Sequence, residues 1–264
     1  MQEGLPTFSC PAHIVLHMSS TIGEILDIEK SHESFEHIYN TCWRYYRELE
    51  HSLAETRRYV AFDESNFNTF SLEYLRIILA TCGEVDTVGK CLAQIADPEF
   101  VPNKSNILKW HYAIQCAQYS HSAWADCPDD FSLPSESTVV TLDETIKLLP
   151  CKGFGVEGEK NARGALRYNY ADGKKKLPWW DGHTKLKHHR ITLEDGRVGS
   201  DFVSANLGNA LNSMAALYTL EKALLGAVGT VDDLEATIDD SELFAPRPRM
   251  ATTSDIDSIF DSLE

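Results

Sequence analysis

Two stretches carry most of the chemistry this sequence offers: Glu84, Asp86 and Lys90 in one, and His183, Lys185, Lys187, His188 and Arg190 in the other. An imidazole of near-neutral pKa can move a proton, and a fixed cation can steady charge developing on a phosphate. Such groups can do acid–base and electrostatic work at a phosphate, and no cofactor is expected. No metal site is expected either, because His32 and His37 would project about 140° apart on a helix.

The elements that must position these groups are helices. Residues 72–95 are expected to form one, capped by Ser71, with Glu73 in the first turn and Pro98 beyond the end. Successive residues advance by about 100°, so Leu75, Ile78, Cys82, Val85, Leu92 and Ile95 help to cover most of its circumference. Measured from Leu72, Glu84 projects near roughly 120° and Asp86 near roughly 320°, both inside the apolar arc. Lys90 lies one turn from Asp86, close enough to pair. A buried carboxylate without a partner is costly or takes up a proton, so Glu84 requires one. The segment PWWDGHTKLKHHR is the natural supplier, since a helix over residues 178–190 puts His183, Lys187 and Arg190 on one face. Glu84 and Asp86 are therefore expected to meet Lys187, His188 or Arg190 across a helix–helix contact. A fold-specifying ionic network without chemistry is the competing reading.

The chain has 264 residues, 43% of them hydrophobic and 24% charged, enough for a real core in one or two domains and too apolar for wholesale disorder. No apolar run approaches the roughly 18 residues of a membrane helix. The opening MQEGLPTFSC lacks the basic start of a signal peptide, and seven scattered cysteines without a CxxC pair read as reduced thiols. A cytoplasmic location is expected. The net charge of −16 hides two opposed segments. Residues 231–264 hold ten acids and two arginines, whereas residues 160–190 hold nine bases against Asp172 and Asp181. The basic island can draw a polyanion or can be a solvated loop that balances nearby acids. Trp179, Trp180, Tyr168 and Tyr170 interleave with it, a composition suited to stacking on single-stranded RNA. A tryptophan pair after a proline also serves as a packing wedge.

The class is mainly α. Further helices are expected over residues 35–53, 107–119 and 201–225, with a strand or extended arm at 7–17. Residues 120–178 read as a long irregular insertion, containing a strand at 138–142 and a short helical piece at 142–149. The Asp-Gly and Gly-Ser pairs within residues 191–200 turn the chain. Gly153, Gly155 and Gly158 match a dinucleotide-binding spacing, but Pro150 and Glu157 argue for a flexible loop. Residues 1–229 then form a helical bundle, and residues 230–264 an acidic, flexible tail. Near its end Ile256, Ile259, Phe260 and Leu263 make one apolar stripe, which either docks on the body, binds a partner or stays disordered.

Three segments, NFNTFSLEYLRIILATCGEVDTVGK, PWWDGHTKLKHHR and SANLGNALNSMAALYTL, resemble in order and spacing a group of uncharacterised bacterial helical proteins. There, a Ser-capped helix carries Glu-x-Asp-x-x-x-Lys and a later helix carries Pro-Trp-Trp-x-x-Tyr-Asn-Lys-x-Lys-His-x-Arg. The group is similar to the HEPN-like helical bundles, a superfamily that includes RNases of toxin–antitoxin and antiphage systems. The resemblance implies an RNA-binding module, with a metal-independent endoribonuclease of stress or phage defence as its catalytic form, in which His188 is the acid or base, Lys187 or Arg190 the electrostatic group and Glu84 the group that orients them. HEPN nucleases carry Arg-x4–6-His; here the corresponding pair is His183 and His188, and His183 and Thr184 replace the Tyr-Asn. Arg44 and His51 match that spacing in an early aromatic-rich helix. The rival reading is a non-catalytic adaptor that assembles with proteins through the bundle surface and the terminal peptide, with oligomerisation open.

Overall fold

In the computed structural model the described residues are 32–117, 131, 133–143, 145–160, 166–189, 191–194, 197–199, 201–230, 232–234 and 241–246. Among them the fold is mainly α, with short antiparallel strands. Helices α1 (His32–Ile38) and α2 (Arg44–Glu55) are joined end to end by a π-helical turn, Tyr39–Trp43. Next come α3 (Leu72–Ala96), α4 (Ile107–Ala117), α5 (Pro178–His188) and α6 (Leu207–Val228). No helix among the described residues is long and apolar enough to cross a membrane.

Local rules set the boundaries. Ser71 accepts a bond from the Tyr74 amide at 3.1 Å, and Asn206 accepts one from the Asn209 amide at 2.9 Å, so α3 and α6 both open on side-chain caps. Pro178 opens α5, where its missing N–H is no loss. The starts of α3 and α6 are tied together, since the Ser71 amide donates to the Ala205 carbonyl at 3.0 Å and the Leu207 amide to the Thr69 carbonyl at 2.9 Å. Helix α6 is the centre of the molecule. Every residue from Ser213 to Gly229 is buried, and α3 lies along it as its main neighbour. Gly89 lets α4 approach α3, because a Cβ there would stand 2.8 Å from carbons of the Trp110 indole.

The described residues between α4 and α5 include strands, where an irregular insertion was expected. Strand β1 (Val140–Leu142) falls within the strand expected at 138–142, and β2 (Ile146–Leu148) pairs with it as a hairpin in place of the expected helical piece. Asp143 turns the chain at φ 50°, outside helical geometry. Strands β3 (Val156–Lys160) and β4 (Leu166–Tyr170) pair with Val156 opposite Tyr170, so the glycine-rich approach leads into a hairpin and not a flexible loop. Residues expected only to turn the chain form a third hairpin, β5 (Thr192–Glu194) with β6 (Arg197–Gly199).

The acidic tail also corrects an expectation. Strand β7 (Phe244–Pro246) adds antiparallel to β1, with Phe244 opposite Leu142. Ahead of it, the amides of Glu242 and Leu243 donate to the buried Glu50 carboxylate at 3.0 and 3.1 Å. That carboxylate also accepts from Tyr46 at 2.7 Å, from Arg47 at 2.5 Å and from the Ser241 hydroxyl. Residues 241–246 are thus part of the body, held by a fully engaged charge. Ile256, Ile259, Phe260 and Leu263 lie outside the described residues.

Candidate functional site

Asp86 and Glu84 point to different sides of α3, which gives the helix two polar faces. On the Asp86 side, Lys90 donates to one carboxylate oxygen at 2.5 Å and the Trp110 indole N–H to the other at 3.1 Å. The Lys90 pair is the expected one; the Trp110 bond depends on the close approach at Gly89. Beside it opens a cleft of about 560 Å³ between α3, the start of α4 and α5. Asp86, Asn106, Tyr170, Trp180, His183 and Lys187 contribute to its walls.

The cleft-facing side of α5 carries a buried imidazole. His183 is 9% exposed, and its Nδ1 has no hydrogen-bond partner. Burial, with smaller contributions from the charges of Lys187 and His188, lowers its pKa to about 4, while Asp86 pulls the other way. The ring is therefore neutral at physiological pH. Trp180 stands against it, ring centroids 5.2 Å apart. Lys187 is exposed at the cleft and makes no ion pair with any described residue. The other lysines of the basic island with described ion pairs are engaged elsewhere: Lys185 holds Asp181 at 3.0 Å, Lys176 the same carboxylate at 3.5 Å, and Lys174 pairs with Glu136.

Several expected site residues fall elsewhere. Trp179 is a core side chain, 3% exposed, whose indole N–H donates to the Pro150 carbonyl at 2.8 Å, so it cannot stack on a ligand. His188 is exposed near the end of α5 with its ring near that of His189, and it does not line the cleft. Five helical steps separate it from His183, about 140°, so the two rings leave the helix in different directions. Arg190 lies outside the described residues.

Glu84 does not meet the basic helix. It is half-buried on the opposite side, where one carboxylate oxygen, the Cys42 sulfur and a Glu221 carboxylate oxygen all lie within 4.8 Å of one another. Burial raises the Glu84 pKa. Glu221 is fully buried on α6, and its pKa is pushed well above the ordinary value by burial first and by Glu84 second. Burial and the Glu221 charge push the Cys42 thiol up to about 11, and the same two causes raise Cys91.

Cys42, Glu221 and Trp110 join these sites without belonging to any motif in the sequence. A signal for Glu221 was present: it stands inside LYTLEKALLGAV, where a helix apolar nearly all round must bury whatever acid it carries. Compared with models of protein families, with curated proteins and with solved structures, the chain matches none.

Proposed function

We propose that the cleft beside α3 binds single-stranded RNA, and that the chain is an RNA-binding module of the HEPN-like kind its sequence resembles. The observation that carries this reading is one cleft walled at once by an indole, an imidazole, an ammonium and a carboxylate, those of Trp180, His183, Lys187 and Asp86. The half-buried Trp180 offers a ring on which a base can stack. Lys187 supplies the charge for a phosphate. Asp86 keeps lone pairs beyond its bonds to Lys90 and Trp110, enough to accept from a base amino group. Neutral His183 both donates and accepts. The cleft volume of about 560 Å³ suits a nucleotide-sized group, and the basic island draws the polyanion to it.

Cleavage on the HEPN pattern needs a second proton-transfer group at the same phosphate, and His188 is not part of the cleft wall. Binding without cleavage is therefore the preferred form of the proposal. The test is fluorescence anisotropy with labelled single-stranded RNA across a salt series. Affinity is expected to fall as salt rises, and Trp180→Ala is expected to cost about 1–3 kcal/mol of binding. Salt-independent or absent binding overturns the reading, as does equal binding by Trp180→Ala. RNA cleavage in EDTA, abolished by His188→Ala with the fold retained, would restore the nuclease form.

The adaptor reading has an observation of its own. Phe70, Leu72 and Val203 are 51%, 74% and 61% exposed where α3 and α6 begin. Loss of a co-purifying protein on Leu72→Ser, with RNA binding absent, would favour it.

A further inference from the structure

Glu221 is the one carboxylate among the described residues whose two oxygens are both buried and both without a hydrogen-bond partner. It is 0% exposed. The groups gathered with it, Glu84 and Cys42, cannot satisfy it as anions. The adjacent Lys222 does not serve, since its ammonium lies over the Phe131 ring, 4.2 Å from the centroid. An unpaired carboxylate in such a place is costly unless it holds a proton or a cation.

The fold has gathered this cluster from three helices. Glu84 is about 18 Å along α3 and Glu221 about 21 Å along α6, measured from starts that are tied side by side. Cys42 comes from the π-helical turn that interrupts the rod of α1 and α2. Such single turns re-aim side chains and recur at functional sites. Cys91 lies two turns beyond Glu84 on α3 and feels the Glu221 charge. Glu84 and Cys42 are only half-buried, so the cluster is reachable from solvent.

We propose that Cys42, Glu84 and Glu221 bind a divalent transition-metal ion of the zinc type, with Cys91 or water completing the coordination. One sulfur and two carboxylate oxygens favour such an ion over magnesium or calcium, which avoid thiolate. Tetrahedral ligands with bonds of about 2.0–2.3 Å stand roughly 3.3–3.8 Å apart. The present spacing of up to 4.8 Å therefore closes by about 1 Å, within reach of side-chain rotation. Binding replaces the proton on the Cys42 sulfur and the proton on the Glu221 carboxyl group with bonds to the metal, and both protons leave to solvent.

Cobalt titration of the chelator-stripped full chain is the test, followed by competition with zinc. A thiolate-to-cobalt charge-transfer band saturating at one equivalent is expected, displaced by zinc and weakened or lost in Cys42→Ser. Glu221→Gln and Glu84→Gln are each expected to weaken zinc binding by more than the roughly 10–100-fold that loss of an outer partner costs. Circular dichroism checks the fold, and the half-buried Glu84 provides the variant less prone to misfolding. No uptake of cobalt or zinc by the folded wild type overturns the proposal, as does binding unchanged in all three variants. RNA binding in Cys42→Ser separates this site from the cleft.

Discussion

Glu50 and Glu221 are both fully buried glutamates on helices, and they could hardly be treated more differently. Glu50 receives bonds from two amides, a phenol, a hydroxyl and a guanidinium, and it fastens residues 241–246 to the body. Glu221 receives none and faces a second carboxylate and a thiol. A buried charge met by donors on every side is structural, because those donors satisfy it without any ligand. One left unmet in an otherwise well-packed helix is a cost that the fold retains, and such costs collect where something else binds.

Removing Glu50 is the harshest way to break the contrast. Glu50→Ala strands the amides of Glu242 and Leu243 and is expected to cost about 3–5 kcal/mol in chemical denaturation. Hydrogen exchange should show the amides of Glu242 and Leu243 losing protection first.

His183 offers a second unmet buried group with the opposite sign of pH dependence. Its folded pKa of about 4 is below the ordinary 6.5, so the stability it allows is full above 6.5 and is lost as pH falls towards 4. A loss of up to about 3 kcal/mol is expected across that window, flattened in His183→Gln. Glu221 runs the other way. Its folded pKa is raised, so the metal-free protein is most stable below the ordinary carboxylate range and loses stability as pH rises. The slope is at most about 1.4 kcal/mol per pH unit for one proton, and Glu221→Gln should remove it in thermal melts of chelator-treated protein. The smallest effect belongs to the cleft. Lys187→Ala should leave stability unchanged and reduce the salt slope of RNA binding by about 1.

The fold was legible where periodicity was strong. Ser71, the spacing of Leu75, Ile78, Cys82 and Val85, and Pro98 delimit α3 almost to the residue, and Pro178 marks the start of α5. Of the hairpins only β1 was legible, as part of the strand expected at 138–142. Strands of three residues such as Ile146–Leu148 are too short to display alternation, and the turn between β1 and β2 relies on Asp143 adopting φ 50°. For the site, the half around Asp86 and Lys90 could be read from the sequence. The half around Glu84 could not, although the 200° between residues two apart on a helix already divides Glu84 from Asp86. What assembles Glu84 with Glu221 is the side-by-side start of α3 and α6, a long-range tie with no local signature.

Calorimetry of zinc binding in buffers of different ionisation enthalpy tests most directly whether the unmet carboxylate is reserved for a cation. Protons should be released on binding, with the release reduced in Glu221→Gln and in Cys42→Ser. Heat of binding with no proton release, or no heat at all from folded metal-free protein, would contradict the assignment.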